Sequence, residues 1–106
     1  MDRRKEIIRS YKDTPRPMGV YQIRNLINGK TFIGSSLDLP GKFNSHRFQL
    51  ACGSHVAAAL QADWQKYGAD AFAFEVLEYL NPEKVDKADW RKAVTAMEEK
   101  WLQEML

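Results

Sequence analysis

The dipeptide Asn28-Gly29 constrains this chain more than any other feature of its sequence. Both residues tolerate positive φ, and between apolar runs they form the strongest short-range signal for a β-hairpin. Ahead of it, Gly19-Val20-Tyr21-Gln22-Ile23-Arg24-Asn25-Leu26 alternates in character. Val20, Gln22, Arg24 and Leu26 fall on one face and Tyr21, Ile23 and Asn25 on the other, as in a partly buried strand. Beyond the turn, Lys30-Thr31-Phe32-Ile33-Gly34 returns as the antiparallel partner. Two strands cannot bury their own face, so helices must cover this hairpin.

Helical signals surround it. Asp2 to Lys12 reads as a short helix with an apolar stripe of Ile7, Ile8 and Tyr11, ended by Pro15 and Pro17. Asp38 is placed to cap a helix entered through Leu39, Pro40 and Gly41, with Phe43, Arg47 and Leu50 at helical spacing. Gly53 ends that segment and Ser54 opens the next, whose stripe is Val56, Ala59, Leu60, Trp64 and Tyr67, with Gly68 as C-cap. Phe72 to Leu80 alternates as a third strand with both faces partly apolar. A final helix begins near Asp86 or Asp89 and carries Trp90, Val94, Met97, Trp101 and Met105 on one face. The expected architecture is α/β: a small three-stranded antiparallel sheet flanked by helices. A basic N-terminal helix and linker over residues 1–18 precedes one domain over residues 19–106.

Composition narrows the function classes. With 106 residues there is room for one compact domain. No apolar run approaches the roughly 20 residues needed to cross a bilayer, and the N-terminus lacks an apolar signal core, so a cytoplasmic location without membrane contact is expected. Cys52 is the one cysteine, which excludes an internal disulfide and a thiolate metal cluster. Its separation of three from His55 hints at a nucleophile–base pair, yet nothing in the sequence fixes their geometry. Charge is uneven: residues 1–30 hold eight Lys or Arg against three acids, and residues 71–106 hold five against eight. The basic end could meet phosphates, or could be a solvated helix.

The two arms of the hairpin carry Gly19-Val20-Tyr21 and Phe32-Ile33-Gly34. Taken alone, aromatics on facing strands are cross-strand packing. Taken with the Asn-Gly turn, the run Gly19 to Ser36 resembles the signature of the GIY-YIG nuclease family. His55, Leu60, Gln61, Trp64, Tyr67-Gly68 and Phe72 to Glu78 resemble the second half of such domains, and Met97 to Leu102 resembles their glutamate-bearing helix.

That resemblance implies roles. Tyr21 matches a tyrosine proposed as general base, or as part of the relay that deprotonates the attacking water. Phe32 matches the second tyrosine but has no hydroxyl, so with Gly19 and Gly34 it is a structural position of the motif. Lys42 falls at a catalytic arginine; it supplies charge without the planar two-pronged contact to phosphate. His46, one turn on, matches a frequent histidine that assists proton transfer or holds a phosphate oxygen. Glu98 matches the metal-binding glutamate, for Mg2+ or Mn2+ that keeps most of its waters. Arg24, with Lys42 and His46, is a candidate for substrate contact, and Arg3, Arg4, Lys5, Arg9, Lys12 and Arg16 for further phosphate contacts. Each residue also has an ordinary reading as a sheet tyrosine, a surface lysine or histidine, or an acidic helix face.

The implied activity is metal-dependent endonucleolytic hydrolysis of DNA phosphodiesters. The departures at Phe32 and Lys42 favour, as the alternative, a weak or inactive nucleic-acid-binding domain of the same fold. A protein-interaction adaptor is a third reading. A nuclease of this size would draw specificity from its basic segment, from homodimerisation or from a protein partner.

Overall fold

The computed structural model describes residues 16–105, so the helix expected over residues 2–12 lies outside the described residues. Strand β1 (Gly19–Asn25) pairs antiparallel with β2 (Thr31–Ser36) on one side and β3 (Phe72–Tyr79) on the other, giving the order β2-β1-β3. Helices α1 (Leu39–Cys52), α2 (Ala58–Tyr67) and α3 (Trp90–Glu104) flank this sheet. The expected α/β class and sheet are therefore present.

Because β1 is central, both its faces are covered. Tyr21, Ile23 and Asn25 are buried on one face, and Val20 on the other. The first face meets α1 and α2, where Phe32, Phe43, Leu60, Trp64, Phe74 and Val76 pack around Tyr21, Ile23, Leu39 and Phe72. The second face meets α3: Thr31 and Ser35, which alternate with Phe32 and Gly34 along β2, contact Met105 and Glu98. Val94 of α3 is as fully buried as Val20. Burying a side chain of this size stabilises the fold by about 1.5–3 kcal/mol. The Trp90 and Trp101 indoles are half-buried and donate to the Val85 carbonyl and the Glu78 carboxylate, both at 2.9 Å. They are core-edge residues with one wet end.

Three local outcomes refine the sequence reading. The turn is built on Asn25: its side-chain oxygen accepts from the amides of Ile27 (2.9 Å) and Asn28 (3.3 Å). Within this turn only Gly29, at φ 77°, has positive φ, and Asn28 keeps a negative φ. Second, α2 starts at Ala58, with Ala57 at its N-cap, instead of at Ser54. Val56 precedes the helix and is 89% exposed, so it does not join the apolar stripe. Third, β3 pairs with β1 through a bulge: Val20 faces Glu78 while Tyr21 faces Val76, leaving Leu77 as the extra residue. A bulge sharpens local twist and re-aims side chains, and this one sits immediately beside Tyr21.

Candidate active site

The site begins with the cross-strand pair Tyr21 and Gly34. A Cβ built on Gly34 would run into the Tyr21 hydroxyl and would lie 2.7 Å from its Cζ. The phenol therefore lies across the backbone of β2 in the space that a side chain would take. Because β2 is an edge strand, this carries the hydroxyl toward the free edge of the sheet. Gly19 has a different reason: at φ 152° its Cβ would collide with the Glu78 carbonyl oxygen of β3.

Helix α1 brings His46 to that hydroxyl. Asp38 caps the helix by accepting from the Gly41 amide at 3.2 Å, and Leu39 and Leu50 bury the same side of it as His46. The Tyr21 Oη lies 2.6 Å from His46 Nε2, and His46 Nδ1 lies 2.7 Å from His55 Nε2. His55 in turn accepts at Nδ1 from the Ala57 amide at 3.0 Å. Tyr21, His46 and His55 are 2%, 6% and 7% exposed, so this is an enclosed polar chain. Phe32 packs edge-on against both imidazoles, with ring centroids 5.5 Å from His46 and 5.8 Å from His55.

Gln61 of α2 holds the loop that carries His55. Its Oε1 accepts from the His55 amide and its Nε2 donates to the Leu50 carbonyl, both at 3.0 Å. This double bond ties α2 to the end of α1 and explains why residues 53–57 stay outside either helix. Free Cys52 is exposed, and the side-chain bonds of His55 go to His46 and Ala57 instead.

Glu98 approaches from the other side of the sheet. It is half-buried on α3, and its Oε1 accepts from Ser35 Oγ at 2.9 Å. Burial first, and then the Glu98 charge, push the Tyr21 phenol well above its ordinary range. Burial is also the largest influence on His46, which with the His55 and Lys42 charges pushes the imidazole down to about 4. His55 is pushed down chiefly by burial and also by Lys42. Lys42, exposed on α1, is a cation that acts on both imidazoles, and burial with this charge favours their neutral forms.

Tyr21 and His46 thus share a hydrogen bond, Glu98 acts on Tyr21 through its charge, and Lys42 acts on the imidazoles through its own. Arg24 stands apart. It alternates onto the opposite face from Tyr21 and forms a two-pronged pair with Glu75, Nε to Oε1 at 2.7 Å and Nη2 to Oε2 at 3.2 Å. Gln22 donates to the same carboxylate. The Glu75 contact favours the charged guanidinium, and Arg24 is held in an ion pair on the sheet face opposite Tyr21. Ser35 and Gln61 are neighbours that residue spacing does not single out for a role, and it offers His55 only as a partner of Cys52. The signal open to it was the separation of nine between His46 and His55 across the helix-ending Gly53.

The family described as the GIY-YIG catalytic domain matches residues 17–105. The chain belongs to this family. It is 35% identical over 66 residues to Intron-associated endonuclease 1 of Enterobacteria phage T4, a stretch covering 62% of this chain and 26% of that protein. The chain thus spans about a quarter of the length of that relative. Among solved structures, the catalytic domain of homing endonuclease I-TevI superposes with a TM-score of 0.69 at 29% identity, covering 82% of this chain and 86% of that one. A point variant of that catalytic domain gives the same TM-score at 28% identity, over 83% and 82% of the two chains.

The donor set decides what a metal would meet here. Among the described residues, no group of three or more His, Cys, Asp or Glu side chains is arranged to hold an ion. Glu98 with the Ser35 hydroxyl offers hard oxygen donors, whereas the imidazoles are occupied with each other and with Tyr21. One carboxylate suits magnesium or manganese that completes its shell with water and substrate oxygens, and does not suit a closed protein cage. No helix among the described residues is long and apolar enough to cross a membrane.

Proposed function

We propose that this domain hydrolyses phosphodiester bonds in DNA, with the reaction at the free edge of β2. The observation that carries this reading is the convergence of a buried Tyr21–His46 hydrogen bond with the Glu98 carboxylate, supplied from opposite faces of the sheet. A base, a cation and a hard-oxygen metal ligand within one electrostatic neighbourhood are what hydrolysis of a phosphate diester requires.

In this reading, water attacks phosphorus, the bond to the leaving ester oxygen breaks, and that oxygen collects a proton. Tyr21 receives the proton of the attacking water. It must first release its own proton to solvent, and in the free protein burial and the Glu98 charge oppose that loss. Glu98 would hold magnesium or manganese, which would supply Lewis acidity toward a phosphate oxygen and offset the carboxylate charge that adds to burial in keeping Tyr21 protonated. Lys42 offsets charge on the phosphoryl oxygens, as a point charge where the family places an arginine. His46 keeps the phenol oxygen in place. Phe32, where the family places a second tyrosine, contributes a dry ring wall and no hydroxyl.

Phe32 and the enclosed Tyr21 also favour a second reading, a slow or inactive domain that binds nucleic acid without cutting it. In either case the basic N-terminal residues would supply salt-dependent affinity. A homodimer or protein partner would supply specificity.

The test is a nicking assay on supercoiled DNA with magnesium or manganese, repeated with Glu98→Gln and Tyr21→Phe. Metal-dependent nicking lost in both variants is the expected result. Metal-independent cutting, or cutting that survives both substitutions, would refute the mechanism. Binding without nicking would select the second reading.

A further inference from the structure

We infer that the Ala57 amide and His55 fix the tautomer of His46, making His55 a positioning residue that turns an N–H of His46 onto the Tyr21 oxygen. This rests on the proposed role of Tyr21 and adds the direction of the hydrogen bonds around it.

The direction follows from one end of the chain. A backbone amide can only donate, so His55 Nδ1, 3.0 Å from the Ala57 nitrogen, must be an acceptor. A neutral imidazole carries one proton, so that of His55 is on Nε2. That nitrogen is 2.7 Å from His46 Nδ1, which must then accept. The His46 proton is consequently on Nε2, 2.6 Å from Tyr21 Oη, and points at the phenol oxygen. Every step is forced once both rings are neutral, and their burial keeps them so.

Two features of this chain leave the direction uncontested. Phe32 meets both imidazoles edge-on and has no donor or acceptor that could pull either proton to another nitrogen. Gln61 holds the His55 backbone and the Leu50 carbonyl together, which keeps the Ala57 amide and His55 Nδ1 in register. The consequence for chemistry is specific. His46 cannot take the proton of Tyr21, because its facing nitrogen is already protonated. It donates to the oxygen and stabilises negative charge there, while the Tyr21 proton is directed away from the imidazoles.

The chain has two histidines, so the imidazole region of a long-range 1H–15N spectrum contains two ring systems. At pH 7.5 both are expected to show the pattern of a proton on Nε2. A proton on Nδ1 of His46 overturns the inference, whether or not the protein cuts DNA. Two variants separate positioning from structure. His55→Gln keeps an amide donor toward His46 Nδ1, and His55→Leu removes it. With Gln, the His46 pattern and kcat should stay within about threefold of the parent; with Leu, the His46 pattern should become mixed and kcat should fall by about 10–100-fold with KM unchanged. Equal kcat in the Leu variant and the parent overturns the positioning role. If His55→Leu fails to fold, Gln61→Met, which frees the loop without touching either ring, should give the same mixed pattern, and an unchanged His46 pattern there counts against the inference. Absence of nicking by the parent protein would remove the hydrolytic reading and leave the spectral result as the measure of the tautomer.

Discussion

Lowering the pH should destabilise this domain well before its carboxylates titrate, because the fold encloses neutral imidazoles. The sign is fixed by the direction of the shift. In the unfolded chain a histidine titrates near about 6.5, whereas in the fold His46 is pushed down to about 4. Between those values the unfolded state binds more protons, so stability is complete above about pH 6.5 and declines as pH falls toward about 4. Over a change from about pH 7.5 to about pH 5, the part of the His46 shift that is crossed corresponds to about 2 kcal/mol. Allowing for solvent screening at an edge site leaves about 1–2 kcal/mol. His55 is shifted in the same direction and adds to the effect. The hydrogen-bond pattern gives the physical origin: a third proton on the pair must sit on His46 Nδ1, facing an N–H, or on His55 Nδ1, facing the Ala57 amide. Either placement breaks a bond inside a buried chain. The assay is urea unfolding at fixed ionic strength across this pH range. For a slope of about 1 kcal/mol per molar, the midpoint should fall by about 1–2 M. The double variant His46→Gln with His55→Gln cannot titrate and should lose most of this dependence. A parent midpoint that does not move with pH, or the same movement in parent and double variant, would refute the reasoning.

Other substitutions probe the same geometry. Gly34→Ala should displace the Tyr21 ring, costing about 1–3 kcal/mol in a urea melt, and should abolish nicking under conditions where the parent is active; an unaltered rate would mean that the phenol does not need the space over Gly34. Lys42→Arg should raise kcat/KM severalfold, since a guanidinium meets a phosphate with two parallel donors, and steady-state kinetics on a short duplex would show it. Arg24→Gln should cost little stability in a urea melt, because both partners of the Arg24–Glu75 pair are more than a third exposed. The same substitution should leave the salt dependence of DNA affinity unchanged in a binding titration, whereas a shallower slope would restore Arg24 as a phosphate ligand.

The hairpin, the helix order and the final helix were legible because each is written in local periodicity. Val20 and Val94 fall on the faces that alternation and helical spacing assign them, and both are fully buried. Asn25 was read only as a strand residue, because side-chain capping of a turn leaves no periodic trace. The start of α2 was misread for a related reason. Ser54 is an ordinary capping residue, but Gln61 holds His55 through a contact with the end of α1 that no local rule contains. The partner of Arg24 lies fifty-one positions away, on β3, where no local spacing could show it.

The candidate site shows what kind of information is absent from a motif. Tyr21 and Gly34 are thirteen positions apart in sequence, yet strand register makes them a pair. The glycine matters as space: without a side chain at residue 34, the phenol crosses the edge strand and comes within range of a carboxylate held on the far face of the sheet. A chain that put Tyr21 on a face with a larger neighbour would keep the same residues and lose their meeting point. The bulge at Leu77 works on the same strand position from the other side, twisting β1 where Tyr21 emerges. Burial then makes this meeting point chemically demanding. It favours the protonated phenol of Tyr21 and the neutral imidazole of His46, and the Glu98 charge acts on Tyr21 in the same direction. Under the proposed mechanism, a metal held at Glu98 would have to work against burial as well as the carboxylate charge before Tyr21 could act as a base.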